Sequence, residues 1–359
     1  MKKIIYFTLL TLLVLSCSNE DETSDNKNFD VQKLRSEFIN EIETSLTNNF
    51  INSTTALNES ILLFLNDLTE GNLLELQKQW ESTALAFSSI EVMDIGAIRT
   101  SLIMTSFYSW EADETSINSY IASGDPITAS VINSRPTNTR GLGAIEFLIF
   151  EKPTNETLSD FSDERRKTYL KTLGENLIEK SQILNTTWTG YREEFISNNQ
   201  TGINGGVNML VNQLNVLLEN VKRFKLGEPA GLENSAIKDV SALQAEKSKQ
   251  SLLFIEENIN SIKKILFQTD NSIVNYAKYI ADSSELEIKL INQFTLIEGN
   301  ISAIKGDTTI EKSLEEAINS NSPFVQDLYE NIQSLIVLIK VDLASTLSIT
   351  ITFTDNDGD

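Results

Sequence analysis

The chain has 359 residues, with 51 Asp and Glu against 29 Lys and Arg and a formal net charge of −22. A charge this negative repels nucleic-acid phosphates and argues against a DNA or RNA partner. With one cysteine and no histidine, the chain has no disulfide framework, His-based triad, zincin motif, bis-histidine haem ligation or Glu-x-x-His di-iron pair.

The N-terminal stretch "MKKIIYFTLLTLLVLSC" places Lys2 and Lys3 before an apolar run, Ile4 to Leu15, of the length expected for a secretory signal. A helical membrane span needs ~20 apolar residues, so this run is too short for one. Val14-Leu15-Ser16-Cys17 resembles a bacterial lipobox, in which the cysteine is lipidated and becomes the first mature residue. Residues 1–17 are therefore expected to be a lipoprotein signal with Cys17 as the lipidation site. Residues 18–28, "SNEDETSDNKN", are acidic and nearly devoid of apolar side chains, and are expected to form a disordered tether. The folded body should begin near Phe29.

Five prolines in 359 residues and long apolar periodicities predict an all-α protein. Val31, Leu34, Phe38, Ile42 and Leu46 recur at spacings of three and four, which is one helical stripe. "STTALNESILLFLND" and "NLLELQKQWESTALAFSSI" continue the pattern on either side of Gly71. From Ile90 to Asn138 the pattern breaks, with Gly96, Gly124, Pro126 and Pro136 marking short helices and turns. "GAIEFLIF" returns to helix and stops at Pro153 and Asn155.

A long helix is predicted from Asp160 to Asn198, then a turn at "NQTGINGG", a helix at "VNMLVNQLNVLLENVKRFK" and a loop at "LGEPAGLEN". "SALQAEKSKQSLLFIEENINSIKKILF", "SELEIKLINQFTLIEGNISAIK" and "SPFVQDLYENIQSLIVLIKVDLASTL" give three more helices. "SITITFT" alternates as a strand would, and "DNDGD" resembles a calcium loop without a closing glutamate and reads as a tail. The expected architecture is two packed helical bundles, 29–155 and 156–359, with a single longer bundle as the alternative.

Glu146 stands inside the apolar helix "GLGAIEFLIF". A carboxylate buried there needs a partner, for which Arg140, Lys225 and Ser248 are the candidates. Gly143, one turn earlier, costs ~1 kcal/mol relative to alanine in mid-helix and suggests close approach of a ligand or backbone. Glu111 and Glu114 form a Glu-x-x-Glu that is either an iron-binding pair or a solvated face. Trp80, Trp110 and Trp188 are expected to serve packing.

Residues 140–150, "RGLGAIEFLIF", resemble the signature helix of the imelysin-like proteins. Trp80 in "LQKQWESTALAF", "WTGYREEF", and "KLGEPAGL" followed by "EKSKQSLLFIEENINSIKKILF" agree with that family in order and spacing. The resemblance implies two helical bundles with a groove between them and a role in iron or haem handling at the bacterial envelope. The family also carries a peptidase label. Many members have Gly-x-His-x-x-Glu, whose histidine and glutamate could hold a metal; here Gly141 and Glu146 match, and Gly143 stands in the histidine position.

The expected ligand-binding groove contains Arg140, Gly141, Gly143, Glu146, Lys225, Glu246, Ser248 and Ser251. In it Arg140 and Lys225 would face an anionic ligand group, and Glu146 and Glu246 would act as acceptors. No catalytic residue is assigned, since neither serine has a histidine or well-placed lysine as base. The resulting expectation is an outer-membrane-anchored lipoprotein that binds iron or haem, or presents them to an uptake receptor. The alternatives are a metallopeptidase and a protein-binding or adhesion module.

Overall fold

The computed structural model describes residues 29–233, 237–306 and 313–352. Cys17, the tether at 18–28 and "DNDGD" lie outside the described residues. Among those described, the fold is all helical with no strand, and no helix is long and apolar enough to cross a membrane.

Helix α1 runs over 31–66, its first turn capped by the Asp30 side chain, which accepts from the Lys33 N–H at 2.8 Å. The predicted stripe of Leu34, Phe38, Ile42 and Leu46 is buried. Within α1, Phe38–Glu43 forms a π-helical turn. Its extra residue rotates Glu43 inward, where the carboxylate is fully buried. Arg192 donates to it from Nε at 2.8 Å and Nη2 at 3.2 Å, and Thr47 adds a bond at 2.9 Å.

After a short turn, α2 (Glu70–Ile90) starts at a Thr69 cap and packs back along α1. The broken region supplies α3 (Glu114–Ser123), capped by Asp113, together with several shorter turns. Helix α4 (Gly141–Phe150) lies against α2 and against the long α5 (Glu164–Ser197). Because α5 also packs along α1, it belongs with the helices that precede it. The packing boundary therefore falls near residue 200 rather than at 155. Pro153 stops a helix without ending the first bundle.

The second bundle begins with α6, a run over 206–230 that is α-helical at Gly206–Asn220, π-helical at Val221–Gly227 and α-helical again at Glu228–Ala230. "LGEPAG" is thus mostly helix rather than loop, with Pro229 in the last turn of the run and Gly231 ending it at φ +71°. Helices α7 (Ser251–Phe267), α8 (Ile273–Ala281), α9 (Glu285–Lys305) and α10 (323–346) complete it. α9 pairs with α10, and α7 crosses to α2, so one apolar core continues through both bundles.

Two further sequence expectations fail. The predicted helix from residue 241 starts only at Ser251, because Ala245 and Lys249 adopt left-handed backbone at φ +59° and +63°. "SITITFT" makes no sheet over its described part. Its extended backbone instead bonds to asparagine side chains one helical turn apart on α6. The Asn208 amide donates to Thr350 O at 2.9 Å and accepts from Thr350 N at 2.8 Å, while Asn212 accepts from Thr352 N at 2.8 Å.

Removing Glu43 leaves the Arg192 guanidinium partly buried without its counter-ion. Glu43→Ala is expected to cost about 3 kcal/mol in urea unfolding, and Glu43→Gln less. Equal losses for the two variants would show that charge, which both remove, and not packing, holds this turn.

Candidate functional site

Helix α4 starts where another stretch of backbone crosses it. Gly141 has φ +73°, and a Cβ there would lie 2.5 Å from Phe107 O. The Leu142 N–H donates to the same carbonyl at 2.7 Å. A Cβ on Gly143 would lie 2.4 Å from Ser109 O. The two glycines therefore admit the 106–109 backbone against the first turn of α4. Trp80 pins that turn from α2: its indole is fully buried, and Nε1 donates to Leu142 O at 2.9 Å.

One turn further on, Glu146 is only 5% exposed. Three donors hold its carboxylate: the Ser248 N–H at 3.0 Å, the Ser248 Oγ at 2.9 Å and the Tyr108 hydroxyl at 3.1 Å. Ser248 sits between the two left-handed residues Ala245 and Lys249, so the bend that breaks the helix also turns the serine toward the carboxylate. Burial pushes the Glu146 carboxyl above the ordinary glutamate range, and the Ser248 and Tyr108 bonds and nearby Lys247 only partly counter it. Burial, then the charge and hydrogen bond of Glu146, push the Tyr108 phenol well above its usual value.

A cavity of about 70 Å³ opens beside Glu146 and Gly143. Trp110, Leu243 and Ala245 contribute its apolar wall, and Glu111, Glu114, Glu246 and Lys247 its charged rim. Lys247 pairs with Glu114 at 2.7 Å and with Glu151. Burial lowers its pKa, but those two carboxylates outweigh burial and hold it above the ordinary lysine value. Four carboxylates against one lysine make this an acidic pocket.

The predicted groove residues divide. Gly143, Glu146 and Glu246 line the cavity, and Ser248 holds Glu146. Gly141 faces the Phe107 carbonyl instead. Ser251 opens α7 and donates to Gln244 O. Lys225, 2% exposed, donates at 2.7 Å to both Glu91 and Asn258, with its ammonium 5.7 Å from the centre of the Trp110 ring.

Arg140 is buried at the N-cap of α4, where its Nε and Nη1 have no hydrogen-bond partner among the described residues. Neither Arg140 nor Lys225 lines the cavity, so the expected positive face for an anionic ligand is absent from it. Glu111 lies before the Asp113 cap of α3 and shares no helix face with Glu114.

Tyr108, Trp110 and Lys247 were not assigned to the site from sequence. Tyr108 and Trp110 sit in the aperiodic "SFYSW" stretch, which gave no facing signal. A resident metal does not fit the donor set. The chain has no histidine, and no group of three or more potential ligands is placed for a metal among the described residues.

The family model for imelysin (Peptidase_M75) matches residues 47–339. A search of curated proteins finds no match. Among solved structures, one from Parabacteroides distasonis, provisionally named an iron-regulated protein A precursor, superposes with a TM-score of 0.75 at 18% identity, covering 90% of this chain and 97% of that one. An imelysin-like protein from Psychrobacter arcticum gives 0.69 at 17% identity, covering 90% and 96%. At these identities the likeness is one of fold.

Because the folded-state pKa of Glu146 is raised, the native protein holds that proton more tightly than the unfolded chain does. Its contribution to stability is therefore greatest below the ordinary glutamate pKa and declines as pH climbs through the raised value. Urea midpoints measured across pH should show this decline in the parent and its loss in Glu146→Gln. Parallel curves for the two proteins would refute the assignment.

Proposed function

The chain belongs to the imelysin family, and from that premise we propose that it is a binding protein of the cell envelope that serves iron acquisition without being an enzyme. The acyl group expected on Cys17 would tether it to the outer membrane beside an uptake receptor. Its Glu146 cavity would receive a small cationic donor group, an ammonium or guanidinium, from a carrier or partner.

The observation that carries this reading is the organisation of the cavity. A buried carboxylate is held in fixed orientation by Ser248 and Tyr108 beneath an acidic rim and the Trp110 indole. Such a site favours a cation with hydrogen-bond donors, which an indole ring also attracts. At about 70 Å³ the cavity is well below the roughly 300 Å³ at which small-molecule pockets usually begin. It is too small for a haem but suits the tip of a side chain or a single amine. Iron enters the proposal through the name of the Parabacteroides relative and the family resemblance.

The peptidase label finds no support in these residues. Metal-assisted hydrolysis needs a metal held with an open position beside a water. In this chain the position that carries histidine in many relatives is closed by the Ser109 carbonyl. Gly143→His is expected to cost about 2 kcal/mol through overpacking and to confer no chelator-sensitive metal binding.

Titration with guanidinium or methylammonium should change indole fluorescence saturably in the parent and in Trp188→Phe, whose indole is buried away from the cavity, but not in Glu146→Gln, with neutral acetamide inert. Peptide cleavage should be absent with or without chelator. A tightly held metal that Glu146→Gln removes, or chelator-sensitive proteolysis, would replace this proposal with the enzymatic one. For the tether, Cys17→Ser should shift the protein from the membrane fraction to the soluble fraction.

A further inference from the structure

A larger cavity, of about 360 Å³, lies away from Glu146, where the beginning of α1, the turn before α6, Tyr276 of α8 and the 347–349 segment meet. Two independent features make it electropositive in a chain whose net charge is −22.

The first is the start of α6. The N-cap is Gly205, which has no side chain to cap with. The N–H groups of Gly206, Val207 and Asn208 have no hydrogen-bond partner among the described residues. Asn208 cannot turn back to supply a cap, because its side chain holds Thr350 in both directions. The open donors and the positive end of the helix dipole thus border the cavity.

The second feature is Arg35, which lines the same cavity and is 3% exposed. Its Nε donates to Ile196 O at 2.9 Å and its Nη2 to Asn199 Oδ1 at 2.9 Å. Nη1 has no hydrogen-bond partner, and the guanidinium no carboxylate within ion-pair distance, among the described residues. The side chain presses on the helix start, since a Cβ on Gly206 would lie 2.6 Å from Arg35 Cδ. Burial lowers the guanidinium pKa, with only Asp30 opposing. A buried cation without a counter-ion is costly, and placing it beside a helix N-terminus adds like-sign repulsion. Two neutral acceptors anchor this guanidinium and leave one nitrogen free.

We propose that this cavity binds a small-molecule oxyanion, with a carboxylate or phosphate group seated on the N–H groups of Gly206 and Val207 and on Arg35 Nη1. Helix N-termini and arginine forks are each suited to such groups. The volume exceeds that of a single ion, and Val31, Tyr276 and Ile349 in its lining suit an apolar body attached to the anionic head. The site is independent of the Glu146 cavity, which is acidic and selects the opposite charge.

The test uses the full chain labelled with ¹⁵N-glycine and titrated with inorganic phosphate in one arm and butyrate in the other, both against chloride at matched ionic strength. The Gly205 and Gly206 amides should shift saturably, while Gly71 and Gly299 stay still and chloride has no effect. The arm that saturates at lower concentration identifies the head group. Arg35→Gln should weaken binding about tenfold or more, and Arg35→Lys should weaken it less. Shifts that are unsaturable, that chloride reproduces, or that persist at full affinity in a folded Arg35→Gln variant would overturn the proposal. The titration of the parent protein decides the matter even if that variant does not fold.

Discussion

A carboxylate withdrawn from water must find donors that replace its hydration, and much of this molecule's architecture near its centre follows from meeting that need at Glu146. The donors come from far along the chain in both directions. Ser248 reaches it only because the backbone at Ala245 and Lys249 leaves the helical region. Tyr108 reaches it only because two glycines let the 106–109 backbone lie on α4. Trp80, bonded to Leu142, fixes the turn on which the carboxylate is carried. The cavity beside Glu146 is thus where α4, the 106–110 segment and the 245–249 bend converge on one charge.

The same requirement recurs at two places where a helix is locally underwound by an extra residue. The π turn in α1 buries Glu43 against Arg192 of α5. The π turn in α6 buries Lys225 against Glu91 at the end of α2 and Asn258 of α7. Each turn redirects one charged side chain from the helix surface into a junction of helices. There the mutual satisfaction of the pair, and its penalty if broken, specifies which helices are neighbours. Asn258 extends the second junction by donating to Ser88 O and to Glu91.

Much of the helical layout was legible in sequence, since apolar spacing of three and four marked α1, α2, α5, α6, α9 and α10. Glu146 stood out because a carboxylate in "GLGAIEFLIF" contradicts the pattern around it, and Ser248 was one of its candidate partners. Arg140 was the nearer candidate in sequence, but at the N-cap it points from the beginning of a helix whose next turns carry Glu146. Adjacency along the chain did not become contact. Tyr108 was hidden because its region has no period, and the 241–250 helix was overcalled because local propensity yielded to the bend that satisfies a distant carboxylate. The break at Pro153 was visible, but a helix terminator says nothing about which bundle the next helix joins.

The asparagine ladder on α6 has a topological consequence. By holding Thr350 and Thr352 beside Asn208 and Asn212, it brings the closing segment to the same cavity that Val31 borders at the opening of α1. The two ends of the folded body are therefore neighbours, and the polypeptide is close to a ring. Joining them with a short linker and cutting instead at the exposed bend between α8 and α9 would keep every helix pairing intact, so circular permutation should preserve this architecture.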